Sequence, residues 1–192
     1  MNTYAESRYA VGQGNARSSK RAPNTISARQ GIALVAAGLL LTIPCVKAET
    51  KLSGADKTFI LAAAQGGMTE VKLGELASEK GMRDDVRAFG RMMVKDHTAI
   101  NSDLKTLAAK KDVTLADGLD DTHQRMVDKM AALTGSEFDG AYIAAMLIDH
   151  KDDAGAFQAE ADETKDADIQ SFVNKSILVI DRHLKHITAM KK

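Results

Sequence analysis

The sequence contains no tryptophan, one cysteine and two prolines in 192 residues. The cysteine, Cys45, and both prolines, Pro23 and Pro44, lie before residue 48. Residues 49–192 therefore form no disulfide, even in an oxidising compartment. We expect this part of the chain to be held by an ordinary core of aliphatic, methionine and phenylalanine side chains, and it is long enough to bury one.

Charge is distributed unevenly along the chain. The whole sequence has 26 basic and 26 acidic residues, but six of the basic residues and one of the acidic ones precede residue 49. The rest of the chain is left with a net charge of about −5. An acidic domain without basic runs is not expected to bind nucleic acid.

Residues 1–48 have the features of a secretory signal peptide. The segment Gly31–Val46 carries no charge and follows a basic stretch, and Val46-Lys47-Ala48 offers a signal peptidase its cleavage pattern. We therefore predict export to the periplasm or outer cell envelope, with no stable membrane span after cleavage. The alternative is an inner-membrane anchor through residues 31–46, although this segment is shorter than the ~20 residues that a spanning helix needs.

Beyond a short linker at residues 49–54, the chain shows helical periodicity and no strand pattern. Apolar residues that recur every three or four positions predict four long helices in a domain at residues 55–192. The first helix is capped by Ser53 or Asp56, and Gly81 suits the left-handed residue beyond its end. The predicted helices run from Ala55 to Lys80, from Asp84 to about Lys111, from Phe138 to about Glu163, and, after a cap at Thr164 or Asp166, to Met190.

The link between the second and third predicted helices is long. It spans residues 112–136, and residues 119–133 within it show a weaker helical pattern. Such a link can cover ~50 Å, whereas a thirty-residue helix is ~45 Å long, so the second and third helices can run parallel. The predicted fold class is all-α: a ferritin-like four-helix bundle with one long crossover that contains a short extra helix.

Three glycines, Gly66, Gly67 and Gly74, lie inside the first predicted helix, where each costs ~1 kcal/mol in an isolated helix. We interpret them as sites where a neighbouring helix approaches closely, in preference to a ligand role. The methionines are interpreted as core residues rather than copper(I) ligands, because no Met-x-Met run is present.

Five short motifs are distributed along the chain. They are Asp56-x-x-Phe59, Gly66-Gly67-Met68-x-Glu70-Val71-x-Leu73-Gly74, Phe89-Gly90-x-x-Met93-Val94-x-Asp96-His97, Phe138-Asp139-x-x-Tyr142 and Asp149-His150. In combination they resemble the exported bacterial family called domain of unknown function 4142. The resemblance covers residues 53–190. It implies a ferritin-like bundle in the cell envelope and assigns no activity.

Two similar segments, Phe89–His97 and Tyr142–His150, each end in an Asp-His pair. The offsets within them are helical, so each pair sits in an otherwise apolar pattern. Only one residue of the second pair can face the bundle centre. We expect Asp149 to point inward and His150 to lie at a seam between helices.

Carboxylates and imidazoles on the apolar stripes are predicted to meet at mid-height in the bundle. Such groups hold metal ions in ferritin-like proteins, and the candidate ions are iron, manganese, zinc and copper. The candidate ligands are Glu70, His97, Asp149 and His183, with His150 and Asp96 as secondary candidates.

The chain departs from the di-iron pattern at two positions. A glutamate is required three residues before the histidines of the second and fourth helices, but Val94 and Ile180 stand there. Without bridging carboxylates, the sequence predicts one metal ion at most.

Three functions are compatible with these observations. The first is a non-enzymatic binding or stress-related role in the envelope, in which the polar cluster consists of mutually paired core residues. The second is a mononuclear metal protein with weak redox or peroxide chemistry. The third is a structural scaffold that binds an envelope partner or small ligand on its outer face, and homo-oligomerisation is compatible with all three. His123 and His186 are predicted to be solvated. The charge runs Asp152-Asp153 and Asp162-Glu163 are interpreted as solvated faces or helix-end signals rather than calcium loops.

Overall fold

The computed structural model describes residues 51–190, and every regular element in that range is a helix. The helices are α1 (Gly54–Lys80), α2 (Asp84–Lys110), α3 (Asp121–Ala131), α4 (Gly135–Glu163) and α5 (Ala167–Met190). The predicted all-α class is therefore confirmed, and α3 is the short extra helix. Gly54 already belongs to α1, so the predicted linker is one residue too long at this end.

The predicted signal peptide (residues 1–48) and the alternative anchor (residues 31–46) lie outside the described residues. Within residues 51–190, none of the helices combines the length and apolar character required to cross a bilayer.

Side-chain caps begin α1 and α5 where the sequence predicted them. Ser53 Oγ accepts the N–H of Asp56 at 3.0 Å, and the Asp56 carboxylate accepts the N–H of Ser53 in return. At α5, one oxygen of Asp166 accepts the N–H groups of Asp168 and Ile169. Each cap satisfies donors that have no partner inside the helix.

The turn between α1 and α2 differs from the prediction at Gly81. Its φ is −52°, so it is not left-handed. A Cβ there would lie 2.7 Å from the Ala77 carbonyl oxygen and 2.9 Å from Val86, so space requires the glycine. The two oxygens of Asp139 on α4 accept the N–H groups of residues 82–83 at 2.9 and 2.8 Å, which closes the start of α2.

Contacts at both ends of α2 and α5 show that these helices are antiparallel. Arg83, before α2, donates to the carbonyl oxygen of Met190 at the end of α5. Lys111, after α2, lies 2.8 Å from Asp168 at the start of α5.

Helices α1 and α4 are also antiparallel. Phe59 near the start of α1 packs edge-on against Phe157 near the end of α4, with ring centroids 4.9 Å apart. Because the three-residue turns reverse the chain between α1 and α2 and between α4 and α5, α2 and α4 run parallel. They lie diagonally across the bundle, since each packs mainly on α1 and α5. The long link with α3 is thus the crossover that the sequence predicted.

Two apolar clusters fill the bundle, one on each side of a central polar layer. On α1, for example, Phe59 and Ile60 precede Glu70 and belong to one cluster, while Leu73 and Ala77 follow it and belong to the other. The buried methionines of the second cluster behave as the core residues that the sequence predicted, and they are Met93, Met130, Met146 and Met190. Met68, Met92 and Met126 are half-buried, and Met82 is exposed.

Helices α1 and α2 approach closely where two glycines, Gly74 and Gly90, face each other. A Cβ added to Gly90 would lie 2.7 Å from the Gly74 carbonyl oxygen and 2.6 Å from the Ser78 nitrogen. At Gly67 the same space is taken by the side chain of Asn101. The close-approach interpretation is therefore confirmed for Gly74, whereas Gly67 makes room for a side chain of α2.

Candidate metal centre

One polar side chain from each of the four long helices reaches the middle of the bundle. Glu70 comes from α1, His97 from α2, His150 from α4 and His183 from α5, and their exposed fractions are 3%, 3%, 0% and 0%. Removing such groups from water is unfavourable unless each finds a polar partner. Their mutual contacts therefore determine what the layer can do.

The three imidazole rings converge on one another. Nε2 of His97 lies 3.3 Å from Nδ1 of His183, and Nε2 of His150 lies 3.2 Å from the same atom. One ring nitrogen from each residue lies within 4.8 Å of the other two. We call His97, His150 and His183 the histidine centre, and these three nitrogens its inner nitrogens.

The outer nitrogen of each ring is held by an acceptor. Nδ1 of His97 lies 2.9 Å from Oε2 of Glu70, and Nε2 of His183 lies 2.9 Å from Oδ2 of Asp96. Nδ1 of His150 lies 3.0 Å from the carbonyl oxygen of Met146, one turn earlier on α4. Metal-binding histidines characteristically have this second contact, which fixes the ring and directs its other nitrogen at the ion.

The protonation states follow from burial and charge. Burial lowers the pKa of His183 to about 4, although its hydrogen bond to Asp96 works in the opposite direction. Burial works to raise the pKa of Asp96, but hydrogen bonds from His183 and Arg182 outweigh it and hold that pKa below its usual value. At neutral pH, Asp96 is therefore a carboxylate and His183 a neutral imidazole that donates from Nε2.

Aromatic rings also pack against the histidine centre, and one of them is Phe89, the first residue of the Phe89–His97 segment. Phe89 lies 5.9 Å from the ring of His183 and 6.5 Å from that of His150, measured between centroids. It also packs edge-on against Tyr142 at 6.2 Å. These rings keep bulk water away from the side that they cover, which strengthens electrostatic interactions within the layer.

A second group of candidate ligands overlaps the first. Glu70, Asp149 and His150 each offer one ligand atom, and these atoms lie within 4.8 Å of one another. Oε1 of Glu70 is 3.8 Å from Nε2 of His150. Asp149 is half-buried and is the most exposed member of this group.

Glu70 and His97 also border a small cavity of about 10 Å³. Its lining includes Asp153 and Ile180. A volume of this size accommodates about one water molecule.

The predicted orientation of the second Asp-His pair is wrong. His150 is fully buried and reaches the centre, whereas Asp149 is half-buried. The register of α4 explains the difference: His150 lies four and eight residues after Met146 and Tyr142, both of which are buried, so it shares their inward face. Asp96, a secondary candidate ligand, does not occupy a ligand position, because its carboxylate contacts the outer nitrogen of His183.

Several other polar residues were predicted to be solvated. His186 is exposed, as predicted. The prediction is wrong for His123, which is buried and hydrogen-bonded to Asp120, the cap of α3. It is also wrong for Asp153, which is 4% exposed, whereas its neighbour Asp152 is exposed.

Two positions depart from a paired-metal site in the way the sequence indicated. Ile180 is buried against the apolar cluster, and Val94 is half-buried. Neither supplies a carboxylate to the layer.

Tyr142 and Glu160 are buried ionisable residues that were not among the predicted site residues. Tyr142 is fully buried, and among residues 51–190 its hydroxyl has no hydrogen-bond partner. Burial, with the negative charges of Glu70 and Asp149, raises its pKa. Glu160 is buried near the end of α4. In the sequence, the only indication that Glu160 is buried is its position three residues after Phe157.

Comparison with known proteins gives a family and a fold. The family described as "Domain of unknown function (DUF4142)" matches residues 43–190. None of the curated proteins matches the chain. A solved structure, "Crystal structure of DUF305 fragment from Deinococcus radiodurans", is similar with a TM-score of 0.63 and 9% identity, over 73% of this chain and 97% of that one. At this identity the likeness shows the fold alone, and the ferritin-like classification stays a prediction.

Proposed function

The chain belongs to the DUF4142 family, whose description assigns no activity, and we propose that it binds one transition-metal ion at the histidine centre. The ligands are Nε2 of His97, Nε2 of His150 and Nδ1 of His183. Glu70 and Asp96 act as partners of the outer nitrogens rather than as ligands.

The observation that carries this proposal is the short distance between the inner nitrogens of His150 and His183. In each ring the proton is on the outer nitrogen. The Met146 carbonyl oxygen can only accept, so its hydrogen bond places a proton on Nδ1 of His150. The carboxylate of Asp96 likewise places a proton on Nε2 of His183. Neutral rings of these tautomers then direct two lone pairs at each other across 3.2 Å. Such an arrangement is stable only with a cation between the nitrogens.

A metal ion fits this requirement better than a shared proton. Burial lowers the pKa of His183 to about 4, so His183 itself does not hold a shared proton near neutral pH. The inner nitrogens are 3.2 and 3.3 Å apart, and nitrogens at ~2.0–2.1 Å from a tetrahedral zinc ion are roughly 3.4 Å from one another. Imidazole ligands suit zinc, copper and iron, whereas manganese prefers oxygen.

The other functions predict different behaviour. If the polar residues are only mutually paired core residues, a proton lies where we propose a metal ion. If the protein is a scaffold, its outer face binds the partner. In both cases, alanine substitutions in the histidine centre change stability alone. Export to the periplasm or outer envelope is part of the proposal, supported by the composition of residues 1–48. No enzymatic step is proposed.

Metal analysis tests the proposal directly. The purified protein, stripped with a chelator, is loaded with iron, manganese, zinc or copper under aerobic and anaerobic conditions. We expect one ion per chain. His183→Ala should lower the affinity by at least about 100-fold, since loss of even an outer partner costs about 10–100-fold.

His186→Ala is the matched control, because this histidine is exposed and lies three residues later on α5. Its affinity should equal that of the unmodified protein. If none of the four metals binds in stoichiometric amounts, the proposal is wrong.

A further inference from the structure

We propose that a metal ion reaches the histidine centre through a second, outer position formed by Glu70, Asp149 and His150. This inference rests on the proposed function, and it assigns the half-buried Asp149 a role in the uptake of the ion. It concerns divalent cations of the same class.

The two positions are adjacent because Glu70 faces both of them. Its Oε2 contacts the outer nitrogen of His97 at 2.9 Å, and its Oε1 lies 3.8 Å from Nε2 of His150. One carboxylate therefore supports the histidine centre with one oxygen and the outer position with the other.

The positions also share a ligand atom. Nδ1 of His150 is held by the Met146 carbonyl oxygen, so Nε2 is the nitrogen that His150 offers to either group. That atom is already 3.2 Å from Nδ1 of His183. Because a neutral imidazole nitrogen has a single lone pair, His150 binds an ion in one position at a time. Occupancy of the two positions is therefore mutually exclusive.

Exposure and charge give the order in which the positions fill. Asp149 is half-buried, whereas Glu70, His150 and the rest of the histidine centre are buried. The outer position combines two carboxylates, which attract a hydrated divalent cation and accept most such ions. The histidine centre offers only imidazole nitrogens, so it selects the ions that prefer this ligand.

Tyr142 provides an independent indication that the outer position takes a polar guest. Its buried hydroxyl has no hydrogen-bond partner among residues 51–190, and burial, together with the charges of Glu70 and Asp149, raises its pKa. Because burying a hydroxyl without a partner is unfavourable, an oxygen ligand that accompanies the ion is a suitable acceptor. The phenol then stays protonated and donates.

The test is the rate at which Co²⁺ binds the metal-free protein, followed by its visible absorption after rapid mixing. We expect Asp149→Asn to slow association by at least about tenfold. Dissociation should slow by a similar factor, because the ion leaves by the route through which it entered. The equilibrium dissociation constant should then stay within about threefold of the original value.

Asp152→Asn is the matched control. It removes the same charge from the same helix three residues away, but Asp152 is exposed. Its association rate should be unchanged.

Three outcomes would overturn the inference: equal rates for Asp149→Asn and Asp152→Asn, a loss of affinity in Asp149→Asn as large as in His183→Ala, or two Co²⁺ ions bound per chain at once. Failure of the unmodified protein to bind any metal would instead refute the proposed function itself.

Discussion

Replacement of Gly90 by alanine should destabilise the bundle, although alanine is the better helix former. The added Cβ would lie 2.6 Å from the Ser78 nitrogen, 2.7 Å from the Gly74 carbonyl oxygen and 2.9 Å from the Ala77 Cβ. The nearest two atoms belong to the α1 backbone, which cannot rotate aside as a flexible side chain can. Helices α1 and α2 must therefore separate.

The magnitude follows from two opposing effects. Gly→Ala inside a helix stabilises by about 1 kcal/mol. Forcing a methyl group into a packed interface costs typically about 1–3 kcal/mol, and a contact with backbone belongs at the upper end. We therefore expect the free energy of unfolding to fall by about 1–2 kcal/mol.

The same separation should reach the histidine centre. Gly74 follows Glu70 by one helical turn, and Gly90 precedes His97 by two. Moving α2 away from α1 lengthens the 2.9 Å contact between Glu70 and His97. We therefore expect metal affinity to fall together with stability, within the range of about 10–100-fold that the loss of an outer partner causes.

The assay is urea unfolding followed by far-ultraviolet circular dichroism, with Gly140→Ala as control. Gly140 is an exposed residue of α4, and a Cβ there meets nothing within 4 Å. This control should gain about 1 kcal/mol. If Gly90→Ala gains as much as Gly140→Ala, the close approach does not constrain the bundle and the reasoning is refuted.

Three further predictions concern other buried polar groups. Burial, with a hydrogen bond to Asp56, raises the pKa of Glu160 from 4.5 to about 7. The contribution of Glu160 to the free energy of unfolding is present below pH 4.5 and is lost as the pH rises through 7, by at most roughly 3 kcal/mol. Glu160→Gln should remove this loss when urea unfolding is compared at pH 5 and pH 8. A double-mutant cycle on Glu70 and His97 in metal-free protein should give a coupling of about 0.5–3 kcal/mol, and a value near zero would contradict their pairing. Asp139→Ala should cost about 2 kcal/mol in the same assay, because two backbone N–H groups lose their acceptor.

The sequence was sufficient to predict the helices and part of the histidine centre. Helical periodicity predicted all four long helices, and the length of the link predicted that α2 and α4 are parallel. The caps at Ser53 and Asp166 could be identified because capping depends on residues only two or three positions away. His97 and His183 could be assigned to the interior because each falls on a clear apolar stripe, and both are buried.

Other features depend on the rotation and spacing of the helices. Adjacent residues differ by about 100° around a helix, so a small rotation of α4 decides between Asp149 and His150, and packing against the other three helices sets that rotation. The partners of the outer nitrogens come from different helices, as with Asp96 and His183, which are 87 residues apart. The sequence by itself determined that a layer of carboxylates and histidines lies at the middle of the bundle, because helical periodicity depends only on residues that are close in sequence. Only the tertiary structure made His150 its third imidazole, because convergence of side chains from separate helices is a property of their packing.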